Sequence, residues 1–164
     1  MNKRIFLFML VLMILLSSFF VAGAQETDTV TLTILGTNDM HSYYAETPDS
    51  VEEGQIATTG KIGYAKISAY KKQLAENGPV LLLDGGDTTH GQVFATLMEG
   101  ESIIWLMNEA GYDAMAPGNH DFNYGYEKLI DLAYMAEFPV LAANLIYTDS
   151  GLTVLPMLSM KRKN

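Results

Sequence analysis

The sequence predicts an α/β fold in which crossover helices connect parallel strands. Short β-branched or apolar runs, which are typical of strands, alternate along the chain with segments that carry apolar residues at helical spacing. A second observation is that polar clusters directly follow three of the four expected strands. The carboxyl ends of parallel strands meet at one edge of a sheet, so these clusters are expected to converge there.

The four expected strands differ in their residue pattern. The first, Val30–Leu35, alternates and is rich in β-branched residues, whereas the second, Val80–Leu83, is continuously apolar, as in a strand covered on both faces. Shorter runs at Ala114–Ala116 and Pro139–Asn144 supply the third and fourth strands. Because helical segments separate them, we expect parallel pairing through crossover connections.

Three helices are expected between these strands. The segment from Thr59 to Asn77 has apolar residues at helical spacing and is followed by a glycine and a proline, which stop helices. The segment Glu101–Ala110 precedes a glycine, the residue that most often ends a helix. A third helix is expected at Tyr124–Ala136. The polar segment Tyr43–Thr59 is predicted to be a surface loop.

The first 24 residues have the three parts of a secretory signal peptide. Lys3 and Arg4 precede a long uncharged run, and Ala22-Gly23-Ala24 has small residues at the expected cleavage site. We therefore expect residues 1–24 to be removed and the protein to be exported, to an extracellular, cell-wall or periplasmic location. A membrane anchor is the alternative because the uncharged run could span a bilayer. Acidic residues after the run favour the signal peptide.

Charge and cysteine content restrict the partners of this protein. The formal net charge is −9, and residues 1–24 contribute no acidic residue to it. An acidic surface disfavours nucleic-acid polymers and anionic lipids, which need clustered lysine and arginine. A small phosphorylated substrate is compatible, because bound cations can reverse the local potential. The sequence has no cysteine, so no disulfide partner and no thiolate metal site are expected.

The polar clusters suit a site for two divalent metal ions. Such ions, about 3.5–4 Å apart, need oxygen and imidazole ligands and one carboxylate that bridges them. Residues i and i+2 of an extended chain share a face, so Asp39 and His41 can bind one ion together. Asp87 can bridge, and the Asn119 carbonyl oxygen can bind the second ion. His120 is then free to act as a general acid or as a donor to the phosphoryl group.

Each cluster also permits a simpler role in the structure. An Asp-x-His pair can form a turn or cap a helix, and Asp84 with Asp87 can shape a glycine turn. Asn119 and His120 can be hydrogen-bonded loop residues. The equivalent position of the three clusters, at the ends of successive strands, favours the metal site.

Three ordered motifs resemble those of the calcineurin-like metallophosphoesterases. They are Gly36-Thr37-Asn38-Asp39-Met40-His41, Asp84-Gly85-Gly86-Asp87 with Gly91, and Gly118-Asn119-His120-Asp121. Within that superfamily the chain is similar to the secreted 5'-nucleotidase and 2',3'-cyclic-nucleotide phosphodiesterase group, from Val30 to about Pro156. The resemblance implies a four-layer α/β/β/α sandwich, of which residues 25–156 would form the first half. It also implies a small nucleotide as substrate and phosphoester hydrolysis as the reaction.

The resemblance implies a role for each motif residue. The implied ligands of two divalent ions, which could be Mn, Zn, Fe or Mg, are Asp39, His41, Asp87 and Asn119. Among these Asp87 would bridge the ions, and His120 would assist departure of the leaving oxygen. Hydrogen bonding around the site, rather than metal binding, is expected of Asn123, His90 and Asp84.

Asn123 departs from the nucleotidase pattern, which usually has an aspartate here that pairs with the catalytic histidine. An amide cannot stabilise an imidazolium as a carboxylate does. Asparagine at this position resembles the cyclic-phosphodiesterase branch. Cyclic phosphodiesterase activity is therefore the alternative to 5'-nucleotidase activity.

The chain also lacks later parts of the family pattern. The family completes its site with further histidines and recognises the nucleotide base in a separate domain, whereas residues 157–164 form an atypical or truncated tail. We therefore expect an isolated 164-residue chain to be inactive, with one face of its sheet uncovered. A non-catalytic extracellular module that binds metal or nucleotide is a second hypothesis, and a fragment without its own function is a third.

Overall fold

A computed structural model describes residues 2–9, 29–48, 50–52, 55–57, 60–152 and 154–155. The chain divides into two units, Met1–Val30 and Thr31–Asn164. In the first unit, residues 3–9 form a helix, α1. The expected cleavage site and the tail at 157–164 lie outside the described residues. None of the described helices has the length and apolar character needed to cross a membrane.

The second unit contains a parallel sheet and a small antiparallel hairpin. Its strands are β1 (Thr33–Thr37), β2 (Ser50–Glu52), β3 (Gln55–Ala57), β4 (Val80–Asp84) and β5 (Ala114–Met115). The parallel sheet has the order β1–β4–β5, and β2 pairs with β3. A parallel bridge from Met115 to Val140 extends the sheet beyond β5. The predicted parallel connections are thus present.

Helices follow the strands of the parallel sheet. They are α2 (Tyr64–Ala75), α3 (Val93–Thr96), α4 (Glu101–Ala110) and α5 (Tyr126–Met135), with a short 3-10 helix, η1, at Asn119–Phe122. The bounds predicted for α4 are confirmed. Gly111 ends this helix in the left-handed conformation, with φ 77°, and its N–H donates to the Asn108 and Met107 carbonyl oxygens.

Several predicted strand boundaries were wrong. Strand β1 lies nearer the carboxyl end than the predicted Val30–Leu35, because it pairs in register with the whole of β4. The fourth predicted strand, Pro139–Asn144, is reduced to the bridge at Val140. The predicted loop Tyr43–Thr59 contains the β2–β3 hairpin. Pairing with a partner strand decided each of these boundaries.

Two helices start later than predicted. The predicted start of α2 was Thr59, but Lys61 pairs with Thr47 instead. Gly63, with φ 70°, then passes so near this segment that a Cβ would lie 2.7 Å from the backbone nitrogen of Glu46. Helix α5 likewise starts after Gly125, which has φ 94°. Left-handed glycines therefore mark both starts.

The core lies on one face of the parallel sheet. Leu82 of β4 and Met115 of β5 are 0% and 2% exposed, and they belong to a cluster with Ile103 and Met107 of α4. The other face of the sheet is more exposed to solvent, since Ile34 of β1 is 60% exposed. This contrast agrees with the expected uncovered face of the sheet.

Candidate functional site

The loops that follow β1 and β4 lie side by side at the carboxyl edge of the sheet. The Asp39 N–H donates to the Gly86 carbonyl oxygen at 3.0 Å, and the His41 N–H donates to the Asp87 carbonyl oxygen at 2.9 Å. These bonds continue the parallel pairing of the two strands beyond their ends. They bring the first two polar clusters together.

Three side chains of these loops form a compact donor group. One ligand atom from each of Asp39, His41 and Asp87 lies within 4.8 Å of the other two. His41 Nε2 is 3.7 Å from Asp39 Oδ1, and both side chains are open to solvent, at 36% and 56% exposure. Two carboxylates and one imidazole are donors that Mn, Zn, Fe and Mg accept. The residues present therefore fit the divalent cations that were expected.

The backbone at this donor group is left-handed. The φ angles of Asp39, His41 and Asp87 are 53°, 43° and 55°. This conformation is energetically unfavourable for every residue except glycine. The extended-chain geometry predicted for Asp39 and His41 was therefore wrong. Their side chains converge because the loop turns, not because alternate residues share a face.

The third polar cluster reaches the donor group through η1. The His120 N–H donates to Asp87 Oδ1 at 2.7 Å and orients this carboxylate. The His120 ring meets the His41 ring edge-on, with centroids 5.2 Å apart. Asn119, the first residue of η1, is exposed beside His120. The structure thus gathers residues from three strand ends, as the sheet topology requires.

Asp121 is a buried carboxylate that holds the backbone around the donor group in place. It is fully buried and accepts hydrogen bonds from the N–H groups of Asp87, Thr88, Thr89 and Gly118 at 2.8–3.0 Å. The Thr89 hydroxyl also donates to it, at 2.7 Å. Hydrogen bonds to a carboxylate are stronger than neutral ones. Asp121 therefore ties the β4 loop to η1, a role that the sequence analysis did not assign to it.

Asp84 is a second buried carboxylate beneath the donor group. It accepts hydrogen bonds from the Thr37 hydroxyl at 2.6 Å, the Thr88 hydroxyl at 2.8 Å and the Gly86 N–H at 2.9 Å. Burial raises the pKa of its carboxyl above the ordinary 3.8, although these hydrogen bonds oppose the shift. Asp84 thus shapes the glycine turn, in agreement with its simpler expected role.

Two glycines allow the loops to approach so closely. A Cβ on Gly118 would lie 2.3 Å from Asp87 Oδ1, and a Cβ on Gly86 would lie 2.2 Å from the Gly118 nitrogen. Real Cβ atoms essentially never approach other atoms within 3.0 Å, so a side chain at either position would force the neighbouring atoms to move. The position of Asp87 therefore depends on the absence of side chains at these two residues.

Asn123 joins two histidines at the outer side of the site. Its amide nitrogen Nδ2 lies 3.0 Å from His120 Nδ1 and 3.1 Å from His90 Nδ1. The two rings are nearly parallel, at 11°, with centroids 6.1 Å apart. His90 lies outside the donor group of Asp39, His41 and Asp87. A place around the site, rather than in the ligand set, stays a prediction for His90.

Comparison with known proteins identifies the family. The model of the family described as calcineurin-like phosphoesterase matches residues 32–159. The chain belongs to this family. It is 41% identical to the 5'-nucleotidase of Bos taurus over 116 residues and 40% identical to that of Homo sapiens over 126 residues. These matches cover 70% and 76% of this chain, but only 20% and 21% of the relatives.

Solved structures of other proteins share this fold. Haemophilus influenzae NAD nucleotidase is 31% identical, with a TM-score of 0.62, and the match covers 74% of this chain and 24% of that one. The 5'-nucleotidase precursor of Thermus thermophilus is also 31% identical, with a TM-score of 0.60 and coverage of 69% and 22%. The predicted family and fold class are confirmed. The chain spans about a fifth of the length of the curated relatives it matches.

Proposed function

We propose that this chain is the N-terminal part of a metal-dependent phosphoester hydrolase that acts on small nucleotides. Membership of the calcineurin-like phosphoesterase family and the names of the relatives support this proposal. The observation that carries it is the donor group of Asp39, His41 and Asp87, whose ligand atoms lie within 4.8 Å at the open edge of the sheet.

Each site residue has a distinct part in this proposal. Asp39 and His41 would hold one divalent ion, Asn119 would help to hold a second, and the Asp87 carboxylate would be shared between them. Two such ions would supply positive charge that polarises a phosphoryl group and activates water. The hydrogen bond from the His120 N–H to Asp87 Oδ1 supports the bridging role, because it holds the carboxylate in one orientation. The His120 ring, next to His41, assists the leaving oxygen.

The proposal also concerns processing and domain organisation. Residues 1–24 serve as a signal peptide, residues 25–156 as the first part of the phosphoesterase domain and residues 157–164 as a tail. Export follows from the signal peptide. The remaining part of the catalytic domain and a domain for base recognition would belong to the full protein, in keeping with the share of the relatives that this chain covers.

Activity assays test this proposal. The full protein that contains this chain would be incubated with nucleoside 5'-monophosphates or 2',3'-cyclic nucleotides, with Mn²⁺ or Zn²⁺ and with a chelator. We expect metal-dependent hydrolysis of at least one substrate, and loss of it in Asp87→Asn but not in Asp131→Asn, a change at an exposed site on α5. Absence of hydrolysis with either metal contradicts the proposal.

Cyclic phosphodiesterase activity is a second candidate, and Asn123 favours it. The residue that faces His120 is an amide, not the carboxylate of the nucleotidase pattern. The test is the ratio of cyclic to monophosphate hydrolysis in Asn123→Asp. We expect this ratio to fall. An unchanged ratio would show that Asn123 does not favour cyclic phosphodiesterase activity.

Tight metal binding by the 164-residue chain without turnover in the full protein would instead favour a non-catalytic module.

A further inference from the structure

An open cleft lies between the carboxyl-terminal parts of helices α4 and α5. It has a volume of about 480 Å³ and is lined by Trp105, Asn108, Glu109, Met135 and Glu137. Each of the two helices connects parallel segments of the sheet, so it runs from the carboxyl edge back to the amino edge. The cleft therefore lies toward the amino edge, and no residue of the donor group takes part in it.

Asn108 holds the two sides of this cleft together. Its Nδ2 donates to the Met135 carbonyl oxygen at 3.1 Å, and its Oδ1 accepts from the Glu137 N–H at 2.8 Å. These two bonds join the last turn of α4 to the end of α5 through backbone groups. The cleft is therefore formed before any ligand arrives, and a preformed site loses less conformational entropy on binding.

The lining of the cleft combines an aromatic ring with negative charge. Trp105 and Glu109 are four residues apart on α4 and so share one face of the helix, and Trp105 is 58% exposed. Glu137 supplies a second carboxylate, and none of the described lining residues is basic. The carboxyl ends of two helices also meet here, and helix dipoles favour positive charge at such ends. The cleft therefore favours a cation that can stack on an indole ring.

We propose that this cleft is a docking site for an arginine side chain of a partner polypeptide. A guanidinium group is planar, so it can stack on the Trp105 indole while its N–H groups bond the carboxylates of Glu109 and Glu137. Charge complementarity supports this occupant, since the chain has a formal net charge of −9. A lysine ammonium is a more strongly hydrated point charge and suits the cleft less well. The docking site is independent of the proposed phosphoesterase function.

The openness of the cleft favours a side chain of a partner over an enclosed small molecule. Small-molecule sites bury about 70–90% of their ligand, whereas Trp105 and Glu109 are both exposed to solvent. The adjoining cavity shows that the end of α4 already accepts a cation. There the Lys71 ammonium donates to the Gly111 carbonyl oxygen and to Asp113 Oδ2. A guanidinium in the cleft would occupy the other side of the same helix end.

The fluorescence of Trp105 tests the site directly, because the sequence contains one tryptophan. The 164-residue chain would be titrated with an acetylated Gly-Arg-Gly amide and with the same peptide carrying neutral citrulline in place of arginine. We expect a saturable change with a dissociation constant of about 1 mM for the arginine peptide, and binding at least about tenfold weaker for the citrulline peptide. Equal affinity for the two peptides, or equal affinity for tetramethylammonium, overturns the assignment of a guanidinium.

Substitutions test the carboxylate and the ring by calorimetry of the full protein that contains this chain. Glu109→Gln and Trp105→Leu should each weaken binding of the arginine peptide about fivefold, whereas Glu76→Gln should leave it unchanged. Glu76 is the matched control because it is an exposed glutamate at the end of α2, outside the lining of the cleft. Unchanged affinity in either cleft variant overturns the proposal. Binding by the 164-residue chain but not by the full protein would show that the cleft is covered, and would also overturn it.

Discussion

Two layers of carboxylates lie at the carboxyl edge of the sheet, and their environments are opposite. The inner layer, Asp84 and Asp121, is buried and surrounded by hydroxyl and backbone N–H donors. The outer layer, Asp39 and Asp87, belongs to the donor group at the open edge. Burial and the surrounding hydrogen-bond donors, not residue type, therefore decide whether an aspartate holds the backbone or stays available for a cation.

The largest effect is expected for Asp121→Ala in the inner layer. The change removes the acceptor of four backbone N–H groups and one hydroxyl. Each donor left without a partner costs about 1–3 kcal/mol when buried, so the loss of five partners should cost about 5 kcal/mol or more. Urea unfolding measures it, with exposed Asp131→Ala as the control. A loss below about 1 kcal/mol would show that Asp121 does not hold the loops.

A smaller effect, of another kind, is expected for Asp87→Asn in the outer layer. Asparagine tolerates the left-handed backbone of this residue and keeps an oxygen for the His120 N–H. Stability without metal should therefore change by less than about 1 kcal/mol, the usual range for a well-tolerated substitution. Calorimetry should show Mn²⁺ or Zn²⁺ affinity reduced about 100-fold, which corresponds to about 2.7 kcal/mol.

Two outcomes for Asp87→Asn would contradict its place in the outer layer. Unchanged metal affinity would exclude Asp87 from the ligand set. A large loss of stability without metal would place Asp87 in the inner layer with Asp121. Asp131→Asn, an equivalent change on α5, controls for the lost charge.

The next largest effect is a loss of stability in Gly118→Ala, because Gly118 lies against Asp87. Gly118→Ala places a methyl group 2.3 Å from Asp87 Oδ1, whereas Gly36→Ala on β1 meets nothing within 4 Å. Overpacking typically costs about 1–3 kcal/mol, so Gly118→Ala should lose about 2 kcal/mol and bind metal more weakly. Gly36→Ala is the matched control. Equal unfolding midpoints of the two variants would show that the loops can separate without cost.

The smallest effect is a pH dependence that comes from Asp84. Burial raises the pKa of this carboxyl above its ordinary 3.8. Its contribution to stability is therefore fully present below the unfolded pKa and is lost as the pH rises through the raised folded pKa. Asn at this position does not titrate. The stability of Asp84→Asn relative to the unmodified chain should thus increase as the pH rises above 3.8.

Urea unfolding of both proteins across this range, in metal-free buffer, measures the difference. Other carboxyl groups titrate in both proteins, so only the difference between the two curves reports on Asp84. A difference that decreases with rising pH would mean that the hydrogen bonds from Thr37, Thr88 and Gly86 outweigh burial. The ionised form of Asp84 would then be the stabilised one.

The sequence predictions were accurate where short-range signals along the chain define an element, and inaccurate where pairing with a distant strand defines it. Helix α4 had the predicted bounds because its apolar spacing and its terminal Gly111 are local signals. Strand β1 was misplaced, and Pro139–Asn144 was predicted to be longer, because strand ends depend on a distant partner. The β2–β3 hairpin was missed since its segment is polar and lacks a clear alternating pattern.

The candidate site shows the same division between local and distant signals. The order of the motifs placed Asp39, Asp87 and His120 at strand ends, and these residues do lie together. Nothing in the pattern indicated that Asp121 is buried beneath them, or that Asn123 contacts His90 as well as His120. These contacts join residues more than 30 positions apart in the chain.

The family, the parallel α/β architecture and the three strand ends that carry polar residues could all be predicted from the amino-acid sequence. These properties depend on local periodicity and on the order of motifs along the chain. The three-dimensional arrangement was needed to show which carboxylates are buried, that Asp39 and His41 converge through a left-handed turn, and that Asn123 contacts two imidazoles. Burial and hydrogen bonding depend on distances between separate loops, and such distances exist only after the strands have paired.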